Sequence, residues 1–254
     1  MNLMKAMRLP LLLCLLGCLA AAPVQAATDD TELADYVARL QYAWFVGDSL
    51  TAVEIAGELA TERPRGDIEH WLRYYSAYGY YRAAQIAGED YLDEYVDRCD
   101  EQARAALKLR SEFSEALIVR GACAALLAER RPIAAVLAPS RALRALARAA
   151  LLDPENPRLK LVQAQASLGR KALAEELPPP AVALAEAIDG FRRFHDASLL
   201  TPDWGEAEAH VVRGRLALAA GDRLGARDAA EQALGIAPDY TAALDFMTSL
   251  RAAR

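Results

Sequence analysis

Cys99 and Cys123 offer the most specific chemistry that residue types and spacing alone allow. The turn between their helices is expected near Ser111 and Glu112, with Cys99 twelve residues before Ser111 and Cys123 twelve after it. In an antiparallel helix pair they therefore stand at the same height, and in an oxidising compartment two level cysteines form a natural disulfide. Closing that loop would stabilise the fold by roughly 3 kcal/mol. The alternative is a pair of buried thiols on sides of their helices that do not face each other.

The other reactive residue types are less organised. His70, His195 and His210 are the three histidines, and none has the paired spacing that zinc sites use. Residues 89–101 read EDYLDEYVDRCDE, which puts carboxylates 90, 93, 94, 97, 100 and 101 on one helix face. The stretch lacks the alternating oxygen ligands and central glycine of a calcium loop. A solvated face is expected, with attraction for a basic partner segment as the alternative. The chain has no nucleophile elbow, no glycine loop for phosphate and no HExxH. The expectation is no metal, no cofactor and no enzyme.

The elements that would position these residues begin after a leader. Lys5 and Arg8 precede a leucine-rich core, followed by small residues and Pro23, in the order of a secretory signal over residues 1–26. Val24-Gln25-Ala26 suits ordinary cleavage before Ala27, the preferred reading. Leu15-Leu16-Gly17-Cys18 resembles a bacterial lipobox, which would place a lipid on Cys18. Either route predicts an exported, periplasmic protein. Residues 27–254 then form one domain, and no other segment is apolar enough to span a bilayer. Without Lys5 and Arg8 the net charge of −6 becomes −8, which argues against nucleic acid or an anionic membrane as the main partner.

Alanine, leucine and arginine recur at helical spacing throughout, and no stretch alternates as a strand, so the chain is expected to be all-α. Residues 208–240, which contain AGDRLGARDAAEQALGIAPDY, show a pattern of small residues at Gly214, Gly221, Ala226 and Ala233 closed by Pro238. The same frame, about 34 residues long, places Gly47-Asp48 at a turn near the N-terminus, Ala52 and Ala56 on a second helix, and Pro64 at its end.

This pattern resembles the tetratricopeptide repeat. The resemblance implies an α-solenoid of about five helical hairpins plus a C-terminal capping helix. The middle hairpins would span residues 71–109, 115–154 and 158 to about 194, and the cap 241–251. Asn156-Pro157-Arg158 and Pro202-Asp203-Trp204-Gly205 are similar to phrases of exported bacterial envelope members. Those relatives usually carry a Phe-Gly-Gly turn in the fourth hairpin, where this chain reads ASLGRKALAEELPPP.

Residues 70–84, HWLRYYSAYGYYRAA, concentrate six aromatic side chains in a chain that is otherwise poor in them. Trp71, Tyr74, Tyr75, Tyr78 and Tyr81 share one helical face and are expected to pack between helices, with Tyr80 on the opposite side. In the repeat frame Tyr80 faces the concave groove. The same projection brings Trp44 and Phe45 to that groove from the first hairpin and Arg73 from the second. Arg158, Leu161 and Gln165 join them from the fourth, and Arg215 from the last. Such a groove would take a protein or peptide segment, with arginine gripping a carboxylate. The bland alternative packs Trp44 and Phe45 against the next repeat and leaves the arginines solvated. His210 falls at a core position of the last repeat. The rival function is a small-ligand or lipid-binding component of an envelope transport system, with Pro178 to Pro180 shaping a lid over a closed apolar pocket.

Overall fold

A computed structural model describes residues 28–131, 133, 136–193 and 198–252. The leader, both cleavage sites, Cys18 and His195 lie outside the described residues. Local signals set most element boundaries. Asp29 caps α1 (Asp30–Val46) by accepting from the Thr31 and Glu32 amides, while the Glu32 side chain reaches back to the cap amide. Gly47 ends that helix in the left-handed region at φ 75°, and Asp48 caps α2 (Ser49–Thr61). A long α3 (Glu69–Ile86) leads through a short 3-10 turn to α4 (Leu92–Leu109), and α5 (Ser114–Arg130) pairs with α6 (Ala138–Leu152). Asn156 caps α7 (Pro157–Gly169), whose first residue is a proline that has no amide to satisfy. A four-residue α8 (Lys171–Ala174), absent from the expected order, precedes α9 (Pro180–Arg193). The chain closes with α10 (Glu206–Ala219), α11 (Arg223–Ile236) and α12 (Thr241–Ala252).

The described residues are thus all-α, with one isolated bridge between Thr28 and Pro64. Five antiparallel pairs, α1/α2, α3/α4, α5/α6, α7/α9 and α10/α11, stack in a solenoid-like order, and α12 covers the last. Close approach at the crossings requires the absence of a side chain. A Cβ on Gly121 would stand 2.7 Å from Leu146, and one on Gly214 2.5 Å from Phe246.

The stack does not end as an open superhelix. It curls until its first and last parts touch: Thr241 Oγ1 donates to the Phe45 carbonyl at 3.1 Å. The Tyr240 ring lies 5.9 Å from Trp44 and 5.4 Å from Phe45. Inside the curl, α3 is enclosed on every side, with twelve of the thirteen side chains from Leu72 to Ala84 buried and Arg73 alone half-buried. A helix buried on every side belongs in a core, and the six aromatics of residues 70–84 put α3 there although it carries Arg82.

The proline run lies beside the start of α9. Pro180 opens α9, and the amides of Val182 and Ala183 donate to the Pro179 carbonyl. These prolines start a helix, as their fixed φ favours, and none of them lines the central space described below.

Candidate functional site

The first helix of each hairpin faces inward, and together these helices wall a central cavity of about 650 Å³. Trp44 comes from α1, and Tyr81 and Gln85 from α3. Ala122, Ala125 and Leu126 of α5 face Val162 and Ala166 of α7. The α10 side presents Val211, Val212, Leu216 and Ala219. Polar groups gather at two levels: Gln165 and Glu208 deep inside, and Glu129, Arg130 and Arg215, all exposed, at the mouth. A second hollow of about 460 Å³ adjoins it along the seam where the ends meet, sharing Trp44, Gln85, Arg215 and Tyr240.

The deep end is closed by a charged plug. Arg82 on α3 is wholly buried and forms a 2.7 Å ion pair with Glu208 on α10. Its guanidinium lies 4.2 Å from the Trp44 ring centre and 4.9 Å from that of Trp204, with Tyr78 and Tyr81 at 5.0 and 5.2 Å. Aromatic faces attract a guanidinium electrostatically and more strongly once water is gone. Gln165 donates to Glu208 at 2.7 Å, tying α7 into the same knot. Burial pushes the Tyr81 and Tyr240 phenols up, so both remain protonated in the cavity wall.

A stretch of the protein's own chain already covers much of the inner face. Residues 198–205 cross it between α9 and α10. The Tyr75 hydroxyl donates to the Leu200 carbonyl at 2.9 Å. Arg158 Nη1 donates to Pro202 O at 2.7 Å, and Trp204 Nε1 donates to the Tyr74 hydroxyl at 2.8 Å. Trp204 also stacks on Tyr78 at 5.2 Å. The Asn156-Pro157-Arg158 and Pro202-Asp203-Trp204-Gly205 phrases therefore meet in space, and Arg158 joins them.

The structure corrects three groove residues, two of them under this cover and Tyr80 by the rotation of α3. Arg158 is 1% exposed and engages Glu115 through Nε at 3.0 Å to each carboxylate oxygen and through Nη2 at 2.7 Å, so it braces α7 against α5 and offers no contact to a partner. Leu161 is fully buried. Tyr80 points away from the cavity: its ring lies 6.5 Å from Tyr95 on α4, and its hydroxyl sits above Gly57 on α2. The stripe from Tyr74 to Tyr81 is buried core, as expected, yet it is the stripe that faces inward. Arg73 donates to the Ala60 carbonyl and pairs with Glu69, a strut between α2 and α3. Phe45 belongs to the seam. Trp44, Gln165 and Arg215 are the predicted residues that the structure brings together around the cavity.

Gln85, Arg82, Glu208 and Tyr240 went unread in the sequence, and Tyr81 was expected to pack between helices and not to line a cavity. Glu208 lies three residues before Val211 and seven before Arg215, so helical spacing alone places it on their face. Arg82 gave no such signal, because its partners outside α3, namely Trp44, Trp204 and Glu208, lie far from it in the chain.

The remaining chemical residues stand apart from this site. Cys99 and Cys123 have their sulfurs 1.99 Å apart, at disulfide distance between α4 and α5. His70 is buried against Phe113, and His210 is 3% exposed. The carboxylates of residues 89–101 face solvent, and several pair within the molecule: Asp100 with Arg120 at 2.7 Å, and Glu89 with Arg130 and Arg131. Among the described residues no three His, Cys, Asp or Glu side chains gather as metal ligands, and no helix is long and apolar enough to cross a membrane. No protein-family model matches the chain, and no curated protein matches it.

Proposed function

We propose that the protein is a non-enzymatic binding protein of the bacterial periplasm whose central cavity holds a small amphipathic ligand. One observation carries this reading: contact of Trp44 and Phe45 with Tyr240 and Thr241 turns a groove into a walled cavity. Its volume, about 650 Å³, lies within the roughly 300–1,000 Å³ of small-molecule sites. Apolar walls with a few polar groups at mouth and floor suit an amphipathic guest. The leader and the cysteine pair at disulfide distance support export to an oxidising compartment. Small residues at the helix crossings support a tetratricopeptide-type repeat as the ancestry of the hairpins.

Native mass spectrometry after gentle purification tests the reading. The wild type should carry a retained small molecule, and Val212→Trp, which fills the cavity from α10, should lose it while keeping its helical circular dichroism. A wild type with no bound small molecule, or equal retention by the folded variant, sinks the proposal.

The second reading is a scaffold that takes a protein segment. The polar mouth favours it, since Glu129 and Arg215 offer hydrogen bonds to a chain entering from outside. Cross-linking in intact cells should then capture a partner that Trp44→Ala combined with Arg215→Ala releases. Unchanged capture by that variant would remove this reading.

A further inference from the structure

The outer face of α6 carries a second, independent feature. From residue 130 to residue 152 the chain has five arginines and no aspartate or glutamate, although the whole protein is at −6. Arg130 and Arg131 are neutralised by Glu89 and Asp93. The other three, Arg141, Arg144 and Arg148, have no ion-pair partner among the described residues; Arg148 donates to the Ser111 carbonyl. Ala138, Ala142, Ala145, Leu146 and Ala149 form the buried side of α6. Residues 137, 141, 144, 148 and 151 lie along its opposite side at alternating steps of four and three, which is one helix face.

That face is Leu-Arg-Arg-Arg-Leu, with Leu137 64% and Leu151 85% exposed. Just before it stand Ile133 at 90% and Val136 at 72%. A solvated helix face ordinarily mixes acids and bases and has few large aliphatics. Here cations and aliphatic side chains share one exposed face, and residues 130–152 include no aromatic anchor.

We infer that this face docks on an anionic lipid surface. The guanidinium groups meet headgroup phosphates, and Ile133, Val136, Leu137 and Leu151 enter the boundary between headgroups and acyl chains. Charge complementarity selects the surface, and the flanking aliphatics select a membrane over a hydrated polyanion. The negative total charge does not decide the matter, because residues 130–152 carry no carboxylate and exposed charges more than a Debye length from the face are largely screened.

Vesicle co-sedimentation of the purified protein tests the inference. Binding is expected to vesicles of phosphatidylglycerol and phosphatidylethanolamine, weakened in about 1 M salt, and absent with phosphatidylcholine alone. Each arginine changed to glutamine should weaken it about fivefold. The triple variant R141Q/R144Q/R148Q should fall by about a hundredfold, while R141K/R144K/R148K keeps binding. Ile133→Asp should weaken binding with every arginine in place. Circular dichroism and thermal melting establish that each variant is folded. Equal binding to phosphatidylcholine, or undiminished binding by the folded glutamine variant, overturns the inference. Binding to polyglutamate without binding to vesicles overturns it in favour of an acidic protein partner.

Discussion

Arg82 and Glu208 hold two opposite charges where almost no water reaches, so each depends on the other. Desolvating an ion costs several kcal/mol, and the 2.7 Å pair, the Gln165 hydrogen bond and the four aromatic faces offset that cost together. Glu208→Gln strands the guanidinium and should destabilise the fold by about 3–5 kcal/mol in urea unfolding. The double variant Arg82→Met with Glu208→Met should recover most of that loss, since an apolar pair strands no charge. If the double variant is as weak as the single one, the plug acts by shape and the charge argument fails. His210 gives a second prediction at this scale. Burial first, then Arg213 and Arg192, pushes its imidazole from 6.5 to about 4, with Asp228 opposing. Between those values the unfolded chain binds a proton that the folded one does not, so stability present above pH 6.5 is lost as the pH falls toward about 4. His70, held down by burial and Arg110, works in the same direction. His210→Leu should flatten the urea midpoint between about pH 7 and about pH 5 relative to wild type. An identical slope in both proteins would mean that His210 does not titrate there.

At the scale of elements, α4 and α5 are joined where Cys99 and Cys123 meet across a separation of 24 residues. Closing that loop restricts the unfolded chain, so Cys99→Ala with Cys123→Ala should cost about 3 kcal/mol. Wild type in reductant should unfold at the midpoint of that variant. A midpoint unmoved by reductant or by the substitutions would show that the link adds nothing to stability. This pairing was legible because both cysteines stand twelve residues from one turn. The hairpin boundaries were legible for the same kind of reason: Gly47, Asp48, Asn156 and Pro157 act within a turn of their own position. Rotation of a helix about its axis is another matter. Tyr80 and Tyr81 differ by about 100°, and which of them faces inward is decided by whatever covers α3. Residues 198–205 supply that cover, from more than a hundred positions away, as in the Tyr75–Leu200 bond. Their backbone has no periodicity to read, so the burial of Arg158 and Leu161 could not be projected from the repeat frame.

For the whole molecule, closure of the stack changes how its parts depend on one another. In an open array each repeat leans only on its neighbours, and a local lesion stays local. Here Phe45 and Thr241 bond across 196 positions of sequence, and Tyr240 packs on both Trp44 and Phe45. Tyr240 is 3% exposed, so Tyr240→Ala removes a large buried ring at a seam that has little else to hold it. Native-state hydrogen exchange distinguishes the two architectures. In a closed stack the variant should exchange faster in α12 and also in α1, while α4 and α5, joined at Cys99 and Cys123, keep their protection. In an open array the change would stop at α11 and α12. Faster exchange in α1 would also connect the seam to the cavity, because Trp44 lines the cavity wall and caps the Arg82 guanidinium. Loosening the seam should then release a retained ligand without a substitution that touches the α5, α7 or α10 walls. If α1 keeps its protection in Tyr240→Ala, the ends are neighbours without mutual support, and the cavity must be held by α3 and residues 198–205 alone.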